Sequence, residues 1–201
     1  MSHLYIVLDS SVLINLLFVS TKLQKILDYI IEVTKKENSK IVISDIIFYK
    51  EIIDKKQIFL LNYLIDNEIV FVKHVNREHI EKIRREYSFR LGVGEISVYI
   101  LVKDFLNSNK LSVGFSNDKL FFKKFEKEIP LLHGIWFYCR MLSLNLIDEL
   151  ELDMIIKIAN EDMRLTSKDL KFFKDEYTQK SKISLQEFVA EYIKTKMNKI
   201  K

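Results

Sequence analysis

The sequence has little of the residues that cross-link or interrupt a chain: one cysteine, one proline and four glycines among 201 residues. A single cysteine, Cys139, excludes a disulfide framework and a zinc site built from several thiolates. No apolar run reaches the roughly 18 residues that a membrane-spanning helix needs. The start of the chain also lacks the basic region and cleavage site of a secretory signal. We therefore expect a cytoplasmic protein without a membrane partner.

Over most of the chain, neither positive nor negative charge is in excess. The net charge is +4, and residues 171–201 alone contain eight lysines against four acidic residues, so the remainder is neutral. A basic tail favours a polyanion or an acidic protein as a partner. It is equally typical of a helix face in contact with water. The hydrophobic share of 48% is that of a globular domain, alone or with an extension.

Four short apolar segments have the pattern of buried strands, and segments of helical periodicity separate them. These strands are predicted at residues 5–8, 41–43, 69–72 and 111–115, and a fifth follows Pro130 and suits a sheet edge. Strands that alternate with helices predict an α/β fold, in which a parallel sheet has helices on both faces. We expect this domain, of four or five strands, over residues 1–147.

Beyond about residue 148 the sequence predicts only helices, which would form an extension over residues 148–201. Two pairs there have the spacing of capping boxes, Thr166 with Asp169 and Ser184 with Glu187. The last helix has an apolar stripe, which we expect to pack on the same domain or on a second subunit. The stripe consists of Leu185, Phe188, Val189, Tyr192 and Ile193.

Four carboxylates fall near the carboxyl ends of the predicted strands, where ligands bind in open parallel sheets. Asp9 ends the first strand and Asp118 follows the fourth. Glu95 begins a buried helix, and Glu51 lies in the helix after the second strand. Each has an ordinary explanation as well: the aspartates suit helix N-caps, Glu95 suits the helix dipole, and Glu51 suits an exposed surface.

The four acids together favour a metal site. Carboxylates at 4 Å repel each other by roughly 1–4 kcal/mol per pair, depending on the effective dielectric constant. Such a cluster is stable when it is protonated or when it binds cations. Ligands that are all oxygen favour Mg²⁺ or Mn²⁺ over zinc.

The stretches around these acids resemble the four acidic motifs of PIN-domain nucleases. They read YIVLDSSVLI, YKEI, LGVGEISVYIL and FSNDKLFFKKF, in the family's order and at suitable spacing. The later segment LLHGIWFYCRMLSLNLI also resembles the strand, glycine and helix of one bacterial branch. The resemblance makes Asp9, Glu51, Glu95 and Asp118 the catalytic acids, and Asp9, Glu95 and Asp118 the metal ligands.

Smaller features of the motifs also match, with two departures. Ser11 corresponds to the small hydroxyl residue often found two positions after the first Asp. Ser116 replaces the usual Thr, and Glu95 stands where many members have Asp. We expect Ser11, Ser116 and Asn117 to contact the substrate, together with Arg90, the best placed of several basic residues before the Glu95 motif.

The resemblance implies a ribonuclease that depends on Mg²⁺ or Mn²⁺ and leaves 5′-phosphate and 3′-hydroxyl ends. Many small bacterial members are toxins that an antitoxin protein holds inactive, so an antitoxin and a homodimer are further expected partners. Two alternatives stay open. The chain could be an inactive PIN-fold module that binds nucleic acid or protein. It could also be a phosphohydrolase with Asp9 as nucleophile, although position 11 lacks the second Asp of the common version.

Other motifs point to no site. The four histidines share no spacing that indicates one, and GVGE is not a phosphate loop because no Lys-Ser or Lys-Thr follows it. Cys139 and Trp136 lie in apolar surroundings and are expected to be buried.

Overall fold

Five short parallel strands form one sheet in the computed structural model, which describes residues 3–87 and 91–196. The strands are β1 (Leu4–Leu8), β2 (Ser39–Ser44), β3 (Val70–Lys73), β4 (Ser112–Phe115) and β5 (Leu131–Leu132). Their order across the sheet is β3-β2-β1-β4-β5. The α/β fold predicted from the sequence is therefore confirmed. The predicted strand bounds are within two residues of those observed, and the two-residue β5 is the edge strand expected after Pro130.

Helices alternate with these strands and continue after the last one. Between β2 and the first helix after it, the segment Ile47–Glu51 forms a five-residue π-helical turn. The α-helices in the described residues are α1 (Ser10–Lys22), α2 (Lys25–Lys36), α3 (Lys55–Asp66), α4 (Arg77–Tyr87), α5 (Val93–Asn107), α6 (Lys119–Phe125), α7 (Ile135–Ser143), α8 (Glu149–Met163), α9 (Ser167–Lys180) and α10 (Leu185–Lys196).

Both faces of the sheet are covered, because side chains of neighbouring strand residues point to opposite sides. Ile6 and Leu8 of β1 belong to a hydrophobic core that includes α1, α2, α7 and α8. Val7 lies between them and belongs to a second core with α4, α5 and α6. Strands buried on both faces read as continuous apolar runs, and this explains why β1 shows no polar alternation.

The strand order creates a switch point between β1 and β4. The chain runs from β1 through β2 to β3 on one side and then returns to build β4 and β5 on the other. Leu8 pairs with Phe115 in the register of these two strands. The residues that follow, Asp9 and Ser116, therefore lie side by side at the carboxyl edge. Parallel sheets bind ligands in the crevice at such a point.

The C-terminal helices pack on the same core as the sheet. Leu152, Ile155, Leu185 and Val189 are buried in the core that contains β1. Ser184 and Glu187 form the predicted reciprocal capping box at the start of α10. Among the described helices, none is both long and apolar enough to cross a membrane.

The capping box predicted for Thr166 forms only in part. The Thr166 hydroxyl accepts a hydrogen bond from the Asp169 amide at 3.1 Å. The Asp169 carboxylate pairs instead with Lys119 Nζ at 2.9 Å, because α6 brings that charge close to the start of α9. Asp148 and Glu151 form a complete capping box at the start of α8, which the sequence analysis did not identify.

Candidate active site

Asp9 is the most buried acid at the carboxyl edge, with 1% of its surface exposed. It directly follows β1 and is the N-cap of α1. Its Oδ1 accepts hydrogen bonds from the Val12 amide at 2.9 Å and from the Ser11 hydroxyl at 2.7 Å. These two contacts hold the carboxylate in one orientation, as an N-cap requires.

The second oxygen of Asp9 is unpaired. Within residues 3–87 and 91–196, Oδ2 is buried and has no hydrogen-bond partner. Burial raises the pKa of Asp9 to about 7, and the negative charge of Glu95 contributes in the same direction. The Ser116 and Ser11 hydroxyls and the Val12 amide oppose this rise. The Ser116 hydroxyl is close enough to favour the ionised form of Asp9, although it does not form a hydrogen bond with Oδ2. A buried acceptor without a partner is costly, so Oδ2 is suited to bind a cation.

Asp118 approaches the same edge from β4. It is the N-cap of α6, and its Oδ1 accepts a hydrogen bond from the Phe121 amide at 2.6 Å. Its own amide donates to the Ser116 hydroxyl at 3.0 Å. Ser116 therefore orients the loop that carries Asp118 and also lies beside Asp9.

Glu95 lies in the first turn of α5, where the helix dipole favours a negative charge. Its carboxylate folds back over Gly92, since a Cβ placed on Gly92 would lie 2.1 Å from Glu95 Oε2. Partial burial raises the pKa of Glu95, its own backbone amide opposes the rise, and the charges of Asp118 and Glu51 add to it. Glu95 is thus within electrostatic reach of the other three acids.

Glu51 is the last residue of the π-helical turn after β2. A Cβ placed on Gly94 would lie 3.0 Å from Glu51 Oε2, so the carboxylate rests against the first turn of α5. Glu51 lines a cavity beside the carboxyl edge together with Arg77 and Val93. The four acids predicted from the sequence therefore come together, with Glu95 in the middle of the group.

A hydrogen-bonded loop joins the ends of the strands. The Asn117 amide donates to the Ser11 hydroxyl at 3.1 Å, and Asn117 Nδ2 donates to the Ser11 carbonyl at 3.3 Å. The Gly134 amide donates to Asn117 Oδ1 at 3.1 Å. Ser11, Ser116 and Asn117 are thus bonded within the site, and their contact with a substrate stays a prediction. Arg90 lies outside the described residues.

Two of the four acids, Glu95 and Asp118, line a cleft of about 330 Å³, and Asp9 and Glu51 do not belong to its lining. Its wall includes Asp162 and Met163 from the end of α8. Asp162 Oδ2 accepts a hydrogen bond from Asn15 Nδ2 at 3.0 Å, and Asn15 in turn accepts one from the Tyr138 hydroxyl. The only sequence signal for this network is a polar Asn15 within the apolar run of α1. Asp162 is a fifth carboxylate at the site.

The donor set fits a hard divalent cation. The side chains are carboxylates, and one buried oxygen of Asp9 has no partner in the part of the chain that the structure describes. In the described part of the chain, no three His, Cys, Asp or Glu side chains already have the geometry of a metal site. Mg²⁺ and Mn²⁺ are the divalent cations that such oxygen ligands favour.

Comparison with known proteins finds no matching family model, no matching curated protein and no matching solved structure. The chemistry of this edge therefore follows from its own residues. The edge has a group of carboxylates at a switch point and a buried Asp9 oxygen without a partner in the described residues. It also has an open cleft that Glu95 and Asp118 line.

Proposed function

We propose that this protein is a ribonuclease that depends on Mg²⁺ or Mn²⁺ and hydrolyses RNA phosphodiester bonds. The observation that supports this most is the meeting of four acids from four separate segments. One of them, Asp9, has a buried oxygen with no partner among the residues described. The four positions are also those at which the sequence resembles PIN-domain nucleases. A group built only for helix capping would not need Glu51 and Glu95 at the same edge.

Asp9, Glu95 and Asp118 would bind the cation. When bound, a divalent cation activates water and stabilises the charge that develops on the phosphate and the leaving oxygen. The chain's own residues hold the ligands in place: Asp9 through Ser11 and Val12, and Asp118 through the amide of Phe121. Glu51 adds a further negative charge that strengthens the attraction for a cation.

The acidic edge also determines how RNA approaches. Phosphate groups and uncompensated carboxylates repel each other, so a bound cation is required before the backbone can lie in the cleft. An antitoxin and a second copy of the chain remain predicted partners, and a role as a toxin remains a prediction. None of the contacts described above supports these three predictions.

Cleavage of labelled RNA in the presence of Mg²⁺ or Mn²⁺ tests the proposal. The Asp118→Asn variant should cleave at least about a hundredfold more slowly, because loss of a charged ligand removes several kcal/mol of transition-state stabilisation. Asn caps a helix about as well as Asp, so the fold is kept.

Asp54→Asn is the matched control. Asp54 is likewise an N-cap, and it accepts a hydrogen bond from the Gln57 amide at 3.0 Å at the start of α3. Its variant should cleave at the wild-type rate. Equal rates for the two variants would refute the assignment. Absence of cleavage in the wild type, with RNA still bound, would favour the inactive binding module.

A further inference from the structure

A cavity with partly aromatic walls lies beside the carboxylate cleft. It has a volume of about 460 Å³ and lies between α6, β5, α9 and α10. Asn117 lines both this cavity and the cleft. A molecule in the cavity would therefore contact Asn117, the residue next to Asp118 in the chain.

Half of the residues that line the cavity have aromatic rings, counting His133. His133 and Phe173 stack with ring centres 4.3 Å apart and planes at 16°. Tyr177 and Tyr192 also line it, and Phe172 is 61% exposed at its edge. An exposed aromatic ring beside a buried aromatic group is an arrangement on which a planar ligand can stack.

His133 contributes an unsatisfied hydrogen-bond donor. The Ile135 amide donates to His133 Nδ1 at 3.3 Å, so in the neutral ring the proton is on Nε2. Nε2 is buried and has no partner within the described chain. Burial and the charge of Lys119 lower the pKa of His133 to about 4, and the ring is therefore neutral at pH 7. Because Nε2 has almost no exposed surface, an acceptor atom of a ligand satisfies this N–H only when the neighbouring side chains move apart.

The charges around the cavity disfavour a phosphate group. Lys119 pairs with Asp169 at 2.9 Å, and Lys180 pairs with Glu176. Glu126 is a further acid of the lining. With both lysines paired to acids, the cavity suits an uncharged aromatic body with hydrogen-bond acceptors.

We propose that this cavity binds one nucleobase of an RNA strand whose backbone lies in the carboxylate cleft. The base stacks on the aromatic wall, with Phe172 at the entrance, and a carbonyl oxygen or ring nitrogen accepts the hydrogen bond of His133 Nε2. The proposal rests on the proposed function, since it takes RNA as the substrate. It makes the cavity a determinant of the cleavage position.

Binding of RNA, measured separately from cleavage, tests this. The protein keeps all of its carboxylates, and Ca²⁺ replaces Mg²⁺ as the oxygen-bound cation. The probes are fluorescein-labelled oligouridylate and oligoadenylate; their binding is followed by anisotropy, and their integrity is checked. The substitution Phe172→Ala should weaken binding of at least one probe about tenfold, as expected for the loss of one stacking contact. Phe59→Ala is the matched control, because Phe59 is 72% exposed on α3 and does not line the cavity.

The donor is tested with His133→Phe, which keeps a ring but removes the N–H. This variant should weaken binding about threefold or more, and the loss should vanish for a probe in which abasic sugars replace the bases. Thermal melting shows that each variant is folded. Equal affinities of the Phe172→Ala and Phe59→Ala proteins would overturn the proposal. It would also be overturned if the protein bound neither oligouridylate nor oligoadenylate. A cavity that serves a protein partner instead would give the first of these results.

The two proposals fail separately. If the wild type does not cleave RNA but Phe172→Ala weakens binding, the base site is supported and the nuclease function is rejected. Cleavage by the wild type with unchanged binding by Phe172→Ala would do the reverse.

Discussion

Glu37 and Asp9 are both almost fully buried carboxylates, with 2% and 1% of their surfaces exposed, at opposite edges of one sheet. Glu37 precedes β2, and Asp9 follows β1. Both oxygens of Glu37 are satisfied: Oε1 accepts from Arg140 Nε at 2.6 Å, and Oε2 accepts from the Leu185 amide at 2.7 Å. One oxygen of Asp9 is satisfied, and the other has no hydrogen-bond partner within residues 3–87 and 91–196.

The difference separates a structural carboxylate from one that is available to a ligand. Burying a charge is costly unless partners compensate for it. At Glu37 the protein supplies the partners, and Arg140 also donates to the Ser181 carbonyl at 2.6 Å. This joins the end of α2 to α7 and to the start of α10. At Asp9 the compensation is incomplete and the charge of Glu95 is close, so a proton or the proposed cation can occupy this position.

Removing the partner of a buried charge should have the largest effect on stability. We expect Glu37→Ala to lower the free energy of unfolding by about 3–5 kcal/mol, because Arg140 is left buried without its counter-ion. Denaturant unfolding measures this. Glu32→Ala on the same α2 is the control, since Glu32 forms only an exposed pair with Lys36 at 3.8 Å and should change stability by less than about 1 kcal/mol. Similar losses in the two proteins would contradict the structural role of Glu37.

The pH dependence of stability should reveal Asp9. Its pKa is raised from 3.8 to about 7, so between these values the folded protein binds more protons than the unfolded chain. Stability from this group is fully present below pH 3.8 and is lost as pH rises to 7, by about 4 kcal/mol in all. In chelator, Asp9→Asn should therefore gain stability relative to wild type over that range. A constant difference between the two proteins would contradict the raised pKa.

His133 should give the opposite slope. Its pKa is lowered from 6.5 to about 4, so the unfolded chain binds more protons between these values. Stability from this group is present above pH 6.5 and is lost as pH falls to 4, by about 3 kcal/mol. Relative to wild type, His133→Phe should gain stability as the solution is acidified. Unfolding curves of both proteins from pH 4 to 7 check this, and parallel profiles would contradict it.

A divalent cation should stabilise the protein through the Asp9 edge. At a concentration one hundred times its dissociation constant, Mg²⁺ or Mn²⁺ should add about 2.7 kcal/mol to the free energy of unfolding. The Asp9→Asn/Asp118→Asn protein should not respond. The Asp28→Asn/Glu32→Gln protein also loses two negative charges, in this case on α2, and should respond like wild type. Thermal melting with and without the cation measures this, and an equal response of both double variants would place the cation elsewhere.

The smallest effect on stability is expected at Gly92. A Cβ there would lie 2.1 Å from Glu95 Oε2, but the far end of a flexible side chain can move away. Gly92→Ala should change the free energy of unfolding by less than about 1 kcal/mol. It should nevertheless weaken cation binding, because the Glu95 carboxylate is displaced. A cation titration followed by melting tests both points, and unchanged cation affinity would remove Glu95 from the ligand set.

Much of the carboxyl edge could be predicted from the sequence. Asp9 and Asp118 directly follow apolar segments, and their capping roles depend only on residues two or three positions away. The order of strands and helices also follows from local periodicity, because each apolar segment must be buried. The strand ends were less certain by one or two residues, since sheet pairing decides where a ladder stops.

The parts that were missed depend on distant contacts. Asp162 reaches the cleft because α8 packs on α1, and its partner Asn15 is 147 positions away. His133 showed no motif, and its burial against Phe173 and Tyr177 comes from the packing of α9. No local pattern in the sequence indicates that a wall of aromatic residues will form beside Asn117.

Local patterning by itself determined the α/β fold and which acids end strands at the carboxyl edge. Tertiary structure alone decided what each buried charge faces: Arg140 for Glu37, and an unsatisfied oxygen among other acids for Asp9. The physical reason is that desolvation and ion pairing depend on groups within a few ångströms in space. Those groups come from segments that are far apart in the chain, so only the folded arrangement of helices around the sheet brings them together.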